Sequence, residues 1–189
     1  MSLDDADHLL SKRADAIYCA NVIAARAERY IGTGHVEGKG DDVPSIEDGI
    51  VVQETGEGKF INAVSVNGHH TLRADDPLSV GGNDSGPTPY DYLLTALGAC
   101  KSMTMRMYAD RKKWPMDRAR VTLRHNKIHA EDCAVCETDE GKVDQFNVEI
   151  AIEGDLSDEQ RQKIYEISNR CPVHQTLINE TSVVSKLTD

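Results

Sequence analysis

Cysteine is the residue type that offers most chemistry in this chain of 189 residues. Five cysteines are present, and a cysteine thiolate can attack an electrophile or bind a metal. The first residues are acidic and do not resemble a secretory signal, so we expect a cytoplasmic protein. Because disulfide frameworks are rare in that compartment, we interpret the cysteines as core residues, metal ligands or redox thiols.

Cys100 lies in the middle of a long predicted helix. Thr88 is a suitable N-cap, Pro89 suits the first helical position and Asp91 completes a capping box, so the helix is predicted from Pro89 to about Lys113. Helical spacing predicts one apolar, core-facing stripe. Its members are Leu93, Leu97, Cys100, Met103, Thr104 and Met107. Taken alone, this position favours a small core residue over a reactive thiol.

Cys171 precedes a proline, which predicts a helix break and the start of a second short helix. Free N–H groups and the helix dipole at such a start lower the pKa of a thiol. Local physics therefore predicts that Cys171 is the more acidic of the two thiols. Composition and spacing alone give no reason to place Cys100 and Cys171 together.

A second cluster holds two histidines and a Cys-x-x-Cys motif, namely His125, His129, Cys133 and Cys136. Two imidazole nitrogens and two thiolates suit a tetrahedral zinc ion. In an extended strand the two histidines would be about 13 Å apart, so a turn between them is needed. An exposed loop without metal and a redox-active cysteine pair are the alternatives.

The charge balance limits the classes of partner. There are 21 basic and 32 acidic residues, which gives a net charge of −11. Proteins that bind nucleic acid or anionic membranes carry basic patches, so neither partner is expected. No apolar run is long enough to cross a membrane.

The elements around the cysteines predict an α+β fold. Residues 1–47 are predicted to form an N-terminal arm, with a helix over 4–31 and an acidic linker, and residues 48–189 to form the main domain. Alternating apolar residues predict antiparallel strands before and after the long helix, and Asn67-Gly68 predicts a hairpin turn. Ser157 and Gln160 predict a capped helix that ends near Asn169. Residues 183–187 are predicted to form a closing strand.

Three segments of the chain resemble the OsmC/Ohr family, the osmotically inducible and organic-hydroperoxide-resistance proteins. They are Gly81–Cys100, Met103–Ala109 and Arg170–His174. Both cysteine motifs occur in the family's order and helix context, and the resemblance covers roughly residues 48–189.

The resemblance implies an intertwined homodimer in which antiparallel sheets wrap around long central helices. It also implies thiol-dependent reduction of hydroperoxides, with Cys100 as the attacking thiolate and Cys171 as the thiol that condenses with its sulfenic acid. A dithiol reductant, of the lipoyl type or a small thiol, would restore the pair. No cofactor is required for this reaction.

The chain departs from the better-studied peroxidase branches at the helix start. Tyr90 stands where those branches have a glutamate, and the acid comes one residue later, at Asp91. Asp91 is the candidate for the carboxylate, and Arg73 for the arginine that acts with it, with Arg106 and Arg170 as weaker candidates. The chain therefore resembles the broader OsmC-like branch.

Three functions follow from the sequence. The first is a hydroperoxide reductase that uses Cys100 and Cys171 in oxidative stress defence. The second is a non-enzymatic stress protein that binds a ligand, with Cys100 as a core residue. The third is a zinc-stabilised redox switch at Cys133 and Cys136.

Overall fold

The computed structural model describes residues 43–133, 138 and 140–188. The predicted helix over 4–31 lies outside these residues, and so does most of the predicted linker. The chain divides into two compact units, one ending at Leu72 and the other beginning at Arg73.

Three antiparallel strands form the sheet that precedes the long helix. They are β1 (Ile50–Glu54), β2 (Asn62–Val66) and β3 (His70–Ala74), in the order β1-β2-β3. Strands β1 and β2 pair from Ile50↔Val66 to Glu54↔Asn62. The turn after β2 has positive φ at Asn67 (50°) and Gly68 (66°), which suits a type I′ turn and confirms the predicted hairpin.

The second unit contains the long helix α1 (Pro89–Lys112) and a two-stranded hairpin. Its strands are β4 (Met116–His129) and β5 (Lys142–Gly154), which pair in an antiparallel ladder with a bulge between Met116 and Arg118. Helix α2 (Asp158–Ser168) and the short helix α3 (Pro172–Ile178) follow, so the α+β prediction is confirmed. None of the described helices combines the length and apolarity needed to cross a membrane.

The core of this unit lies where α1, α2 and the hairpin meet. Met105, Ala109, Met116 and Ile164 are buried there, and partly buried apolar residues of β4 and β5 pack around them. The buried row on α1 is Leu97, Lys101, Met105 and Ala109, at intervals of four residues, with Gly98 beside it.

The predicted core stripe of α1 is therefore correct at Leu97 but wrong at Met103 and Met107. Met103 is 65% exposed and Met107 is 72% exposed, whereas Met105 is fully buried. The true row was hidden because it contains a lysine, which a search for apolar residues passes over.

The predicted closing strand over 183–187 is also wrong. Within the described residues neither sheet includes this segment, and Val184 and Leu187 are more than 90% exposed. A strand needs a neighbour for its backbone hydrogen bonds, and β-propensity in the sequence does not supply one.

Candidate active site

A buried carboxylate organises the loop that leads into α1. Asp75 is 2% exposed, and its side chain accepts hydrogen bonds from the N–H groups of Asp76 (2.8 Å), Asn83 (3.0 Å) and Ser85 (3.1 Å). The Ser85 hydroxyl donates a fourth (2.9 Å). Burial alone would raise the pKa of Asp75, but these hydrogen bonds together hold it below its usual value. Sequence reasoning missed Asp75 because its partners are mostly backbone groups.

Two glycines allow the loop to lie close to the end of β3 and to the residues that follow it. A Cβ atom at Gly82 would be 1.8 Å from the Asp76 carbonyl oxygen. One at Gly86 would be 2.4 Å from the Arg73 carbonyl oxygen. The glycine-rich loop is therefore a tight structural turn that positions the start of α1.

The predicted cap of α1 is confirmed. The Thr88 hydroxyl oxygen accepts from the Asp91 N–H, and an Asp91 carboxylate oxygen accepts from the Thr88 N–H at 2.9 Å and from the Thr88 hydroxyl at 2.7 Å. Nine residues separate Asp91 from Cys100 (100 − 91), which places them on opposite sides of the helix and roughly 13 Å apart along its axis. Within one chain, Asp91 therefore serves the helix start and does not reach the Cys100 sulfur.

The structure brings the two central thiols together, which spacing could not predict. Cys171 is the N-cap of α3 and Cys100 lies in the middle of α1; the two helices pack together, and the side chains are near enough for Cys100 to affect the pKa of Cys171. The Cys171 sulfur also accepts the His174 N–H at 3.3 Å. Cys171 is fully buried, whereas Cys100 is partly exposed.

The prediction that the helix start lowers the pKa of Cys171 is wrong. Burial raises the pKa of the Cys171 thiol. The His174 N–H and the positive charge of Lys101 act in the opposite direction but do not outweigh burial, and the neighbouring Cys100 side chain raises the pKa further.

Lys101 is the cation beside these thiols. It is 2% exposed, and its Nζ donates to Asn169 Oδ1 at 2.8 Å and to the Ser168 carbonyl oxygen at 3.4 Å. Burial lowers the pKa of Lys101, while the negative charges that Cys171 and Cys100 can carry act to raise it. Sequence reasoning searched for an arginine and missed this lysine. The signal available in the sequence was a lysine that lies four residues from an apolar residue on each side, Leu97 and Met105.

His174 lies close enough to respond to the same charge. Its pKa is lowered, first by burial and then by the positive charge of Lys101. A neutral His174 imidazole is therefore favoured, and its contribution to Cys171 is the backbone N–H bond.

Of the three candidate arginines, Arg106 bonds through its side chain away from the thiols, Arg170 acts through its charge on Glu166, and Arg73 makes a backbone contact. The Arg73 carbonyl oxygen accepts from the Tyr92 hydroxyl at 2.6 Å, which ties the end of β3 to α1. Arg106 donates to the carbonyl oxygens of Met116 (2.7 Å) and Asp117 (2.9 Å), and so joins α1 to the start of β4. The charges that shift the pKa of Cys171 are those of Cys100 and Lys101.

His125 belongs to an aromatic cluster at the start of α1. Its ring stacks on Tyr90 with centroids 4.1 Å apart and on Phe146 at 5.2 Å, and Nε2 lies 2.7 Å from Asp144 Oδ1. The bond to His125 lowers the pKa of Asp144. Tyr90 thus packs against the hairpin at the position where the peroxidase branches have a glutamate.

The predicted zinc ligands stay a prediction. Strand β4 continues through His129 without a turn, so His125 and His129 remain separated along it. Cys133 is disulfide-bonded, and Cys136 lies outside the described residues. In the part of the chain that the structure describes, no three His, Cys, Asp or Glu side chains converge as metal ligands would.

An open groove of about 500 Å³ runs between α1 and β4. Asp91, Leu94 and Ser102 line it on the helix side, and Val121 and Leu123 on the strand side. Since Cys100 lies on the opposite side of α1 from Asp91, this groove is separate from the thiol pair.

Comparison with known proteins identifies relatives of this architecture. The family model described as OsmC-like protein matches residues 81–186, which is more than half of the chain. A search of curated proteins found no match.

Solved structures of the same fold come from several bacteria. An organic hydroperoxide resistance protein from Elizabethkingia anophelis is 19% identical, with 72% of this chain and 91% of that chain covered and a TM-score of 0.52. An organic hydroperoxide resistance protein OsmC from Legionella pneumophila is 17% identical, with 68% and 87% covered and a TM-score of 0.51. An OsmC-like protein of unknown function from Vibrio cholerae is 10% identical, with 71% and 96% covered and a TM-score of 0.53.

Proposed function

Because the chain belongs to the OsmC-like protein family, we propose that it reduces organic hydroperoxides with Cys100 and Cys171 as its redox thiols, in defence against oxidative stress. The observation that carries this proposal is the packing of α1 against α3, which brings the Cys100 and Cys171 side chains near each other. Two neighbouring cysteines can be joined into a disulfide once their Cα atoms lie within about 7 Å. The names of the relatives from Elizabethkingia and Legionella point to the same class of substrate.

Exposure and acidity assign the two roles. Cys100 is the partly exposed thiol, so a hydroperoxide can reach it. Cys171 is fully buried and its pKa is raised, so it remains a thiol until its partner has been oxidised. This argument supports Cys100 as the attacking residue and Cys171 as the resolving residue.

The reaction has three steps. The Cys100 thiolate attacks the terminal oxygen of the hydroperoxide, the O–O bond breaks, and the alkoxide leaves and takes up a proton to become an alcohol. The Cys171 sulfur then displaces the hydroxyl group of the Cys100 sulfenic acid, which leaves with the thiol proton as water. A dithiol finally returns two electrons and two protons by exchange and leaves as a cyclic disulfide.

A second copy of the chain is the partner that we propose for the exposed face of α1. Ala96, Ala99, Met103 and Met107 lie on this face, and all four are exposed in the single chain. In a two-fold dimer this exposed face of α1 would pack against the same face of the second copy, as a two-fold interface requires. Sedimentation velocity checks this, because Met103→Glu with Met107→Glu should convert a dimer into a monomer.

Peroxide turnover in cysteine variants tests the function. We expect Cys100→Ser to abolish consumption of an alkyl hydroperoxide in the presence of a dithiol. Cys171→Ser should complete one turnover and stop at the sulfenic acid or a mixed disulfide. Cys133→Ser is the matched control, since it removes a cysteine outside the pair and should retain turnover.

Mass spectrometry after mild peroxide treatment separates the competing functions. A Cys100–Cys171 disulfide supports the proposal, whereas selective oxidation of Cys133 and Cys136 supports the redox switch. Undiminished turnover in both Cys100→Ser and Cys171→Ser would refute it.

A further inference from the structure

Lys101 joins the two segments that carry the thiols. It follows Cys100 directly on α1, and its Nζ bonds to Ser168 and Asn169, which precede Cys171 at the end of α2. This side chain therefore links the Cys100 segment to the segment that precedes Cys171.

The ammonium group of Lys101 is held by neutral acceptors. Asn169 supplies an amide oxygen and Ser168 a backbone carbonyl. Among the residues that the structure describes, Nζ contacts no carboxylate. A buried charge normally requires an opposite charge nearby, and the anions available here are the thiolates of Cys100 and Cys171.

We propose that Lys101 is the positioning cation of the thiol pair, which clamps the Cys171 segment against Cys100 and holds one negative charge on the two sulfurs at neutral pH. The sulfurs then share a single proton, with the Cys171 S–H directed at a Cys100 thiolate. Lys101 would thus supply the positive charge that the family resemblance assigns to an arginine.

The neighbouring titratable groups are consistent with this arrangement. The Lys101 ammonium lies near Cys100 of α1 and near Cys171 and His174 at the start of α3. Since Lys101 lowers the pKa of His174, that imidazole is favoured in its neutral form and does not compete for the negative charge. The end of α2 contributes only uncharged oxygens to Nζ.

This inference deepens the proposed function and rests on it, because the thiolate held by Lys101 is the nucleophile of the proposed reaction. It is nevertheless testable without peroxide. The direct readout is the rate at which iodoacetamide alkylates Cys100 in the reduced protein as a function of pH, followed by mass spectrometry of the Cys100 peptide. Only the thiolate reacts, so the midpoint of this profile reports its formation.

Lys101→Met removes the positive charge of Lys101 and keeps most of the length of its side chain. We expect the midpoint to rise by at least one pH unit and the alkylation rate to fall up to about tenfold for each unit of that rise at pH values below the wild-type midpoint. Lys112→Met is the matched control, because it removes the same charge from an exposed position of the same helix and should leave the profile unchanged. Identical profiles for Lys101→Met and wild type would overturn the inference.

A measurement on unmutated residues protects the test against a variant that fails to fold. The ultraviolet absorbance of thiolate is titrated in the reduced wild-type protein and in Cys100→Ser. We expect the wild-type protein to show thiolate absorbance at pH 7 that Cys100→Ser lacks. Equal thiolate absorbance of the two proteins at pH 7 would count against Lys101 as the cation.

The two proposals fail in different ways. If the wild-type protein does not turn over peroxide but its alkylation profile still depends on Lys101, the proposed function is refuted and the thiolate–ammonium pair stands. If peroxide turnover is present and Lys101→Met leaves the alkylation profile unchanged, the role of Lys101 is refuted and the proposed function stands.

Discussion

Replacing Asn169 by alanine tests how the buried ammonium of Lys101 is held. The change removes the acceptor at 2.8 Å and leaves only the Ser168 carbonyl oxygen at 3.4 Å. Because Lys101 is 2% exposed, water cannot readily replace the lost oxygen. We therefore expect the free energy of unfolding at pH 7 to fall by about 1.5–3 kcal/mol, the usual contribution of a hydrogen bond to a charged group.

The pH dependence of this loss distinguishes a charged lysine from a merely packed one. The bond to Asn169 stabilises the ammonium form, so its removal matters only while Lys101 is protonated in the folded protein. The folded-state pKa of Lys101 is already lowered from its usual value of 10.5. The folded protein thus releases the proton at lower pH than the unfolded chain, and the effect of Asn169→Ala should shrink as pH rises toward 10.

Urea unfolding at pH 7 and at about pH 10, under reducing conditions, measures both effects. Trp114 is the chain's single tryptophan and packs against the core of this unit, so its fluorescence reports the transition. Asn147→Ala is the control, because its amide bonds are made on the exposed face of the hairpin and its loss should change stability by no more than about 0.5 kcal/mol. A loss for Asn169→Ala no larger than that of the control, or one equal at both pH values, would refute the reasoning.

Three further predictions concern the scaffold of the site. Asp75→Asn should lower the thermal unfolding midpoint at pH 7, and the difference should shrink below about pH 4. The reason is that a carboxylate with a lowered pKa stabilises the fold above its unfolded pKa and loses this effect as pH falls through its folded value. Gly82→Ala should destabilise more than Gly56→Ala in urea titrations, because its Cβ would meet a backbone oxygen at 1.8 Å whereas that of Gly56 meets nothing within 4 Å. Met105→Ala should cost about 2–5 kcal/mol of unfolding free energy by calorimetry, and Leu187→Ala close to none, since the first is fully buried and the second is 93% exposed.

Local signals in the sequence predicted the helices well. The capping boxes at Thr88 and Ser157 and the break at Cys171-Pro172 all appear where they were predicted. Each depends on residues within about one turn of one another, so the local sequence contains the information needed to predict it.

The buried face of α1 could not be predicted from hydrophobicity alone. Leu97, Met105 and Ala109 share their row with Lys101, and the apolar Met103 and Met107 face outward. Burial of a lysine depends on acceptors brought by another element, here Ser168 and Asn169 from the end of α2. The sequence of α1 alone gives no information about these acceptors.

The acidity of Cys171 shows the same limit. The helix start predicted a lowered pKa, and the expected N–H bond is present. Burial of the whole side chain outweighs it, and burial is a property of the packing of α1, α2 and α3 together.

The sequence by itself determined the caps, the helix break, the hairpin turn and the α+β class, because these follow from short-range stereochemistry and hydrogen bonding. Through a family resemblance it also pointed to Cys100 and Cys171. Only the tertiary structure decided that the two sulfurs meet, that Lys101 is the cation beside them, and that Asp75 holds the loop before α1. Those contacts join residues far apart in the chain, and their energies depend on how completely the fold removes each group from water.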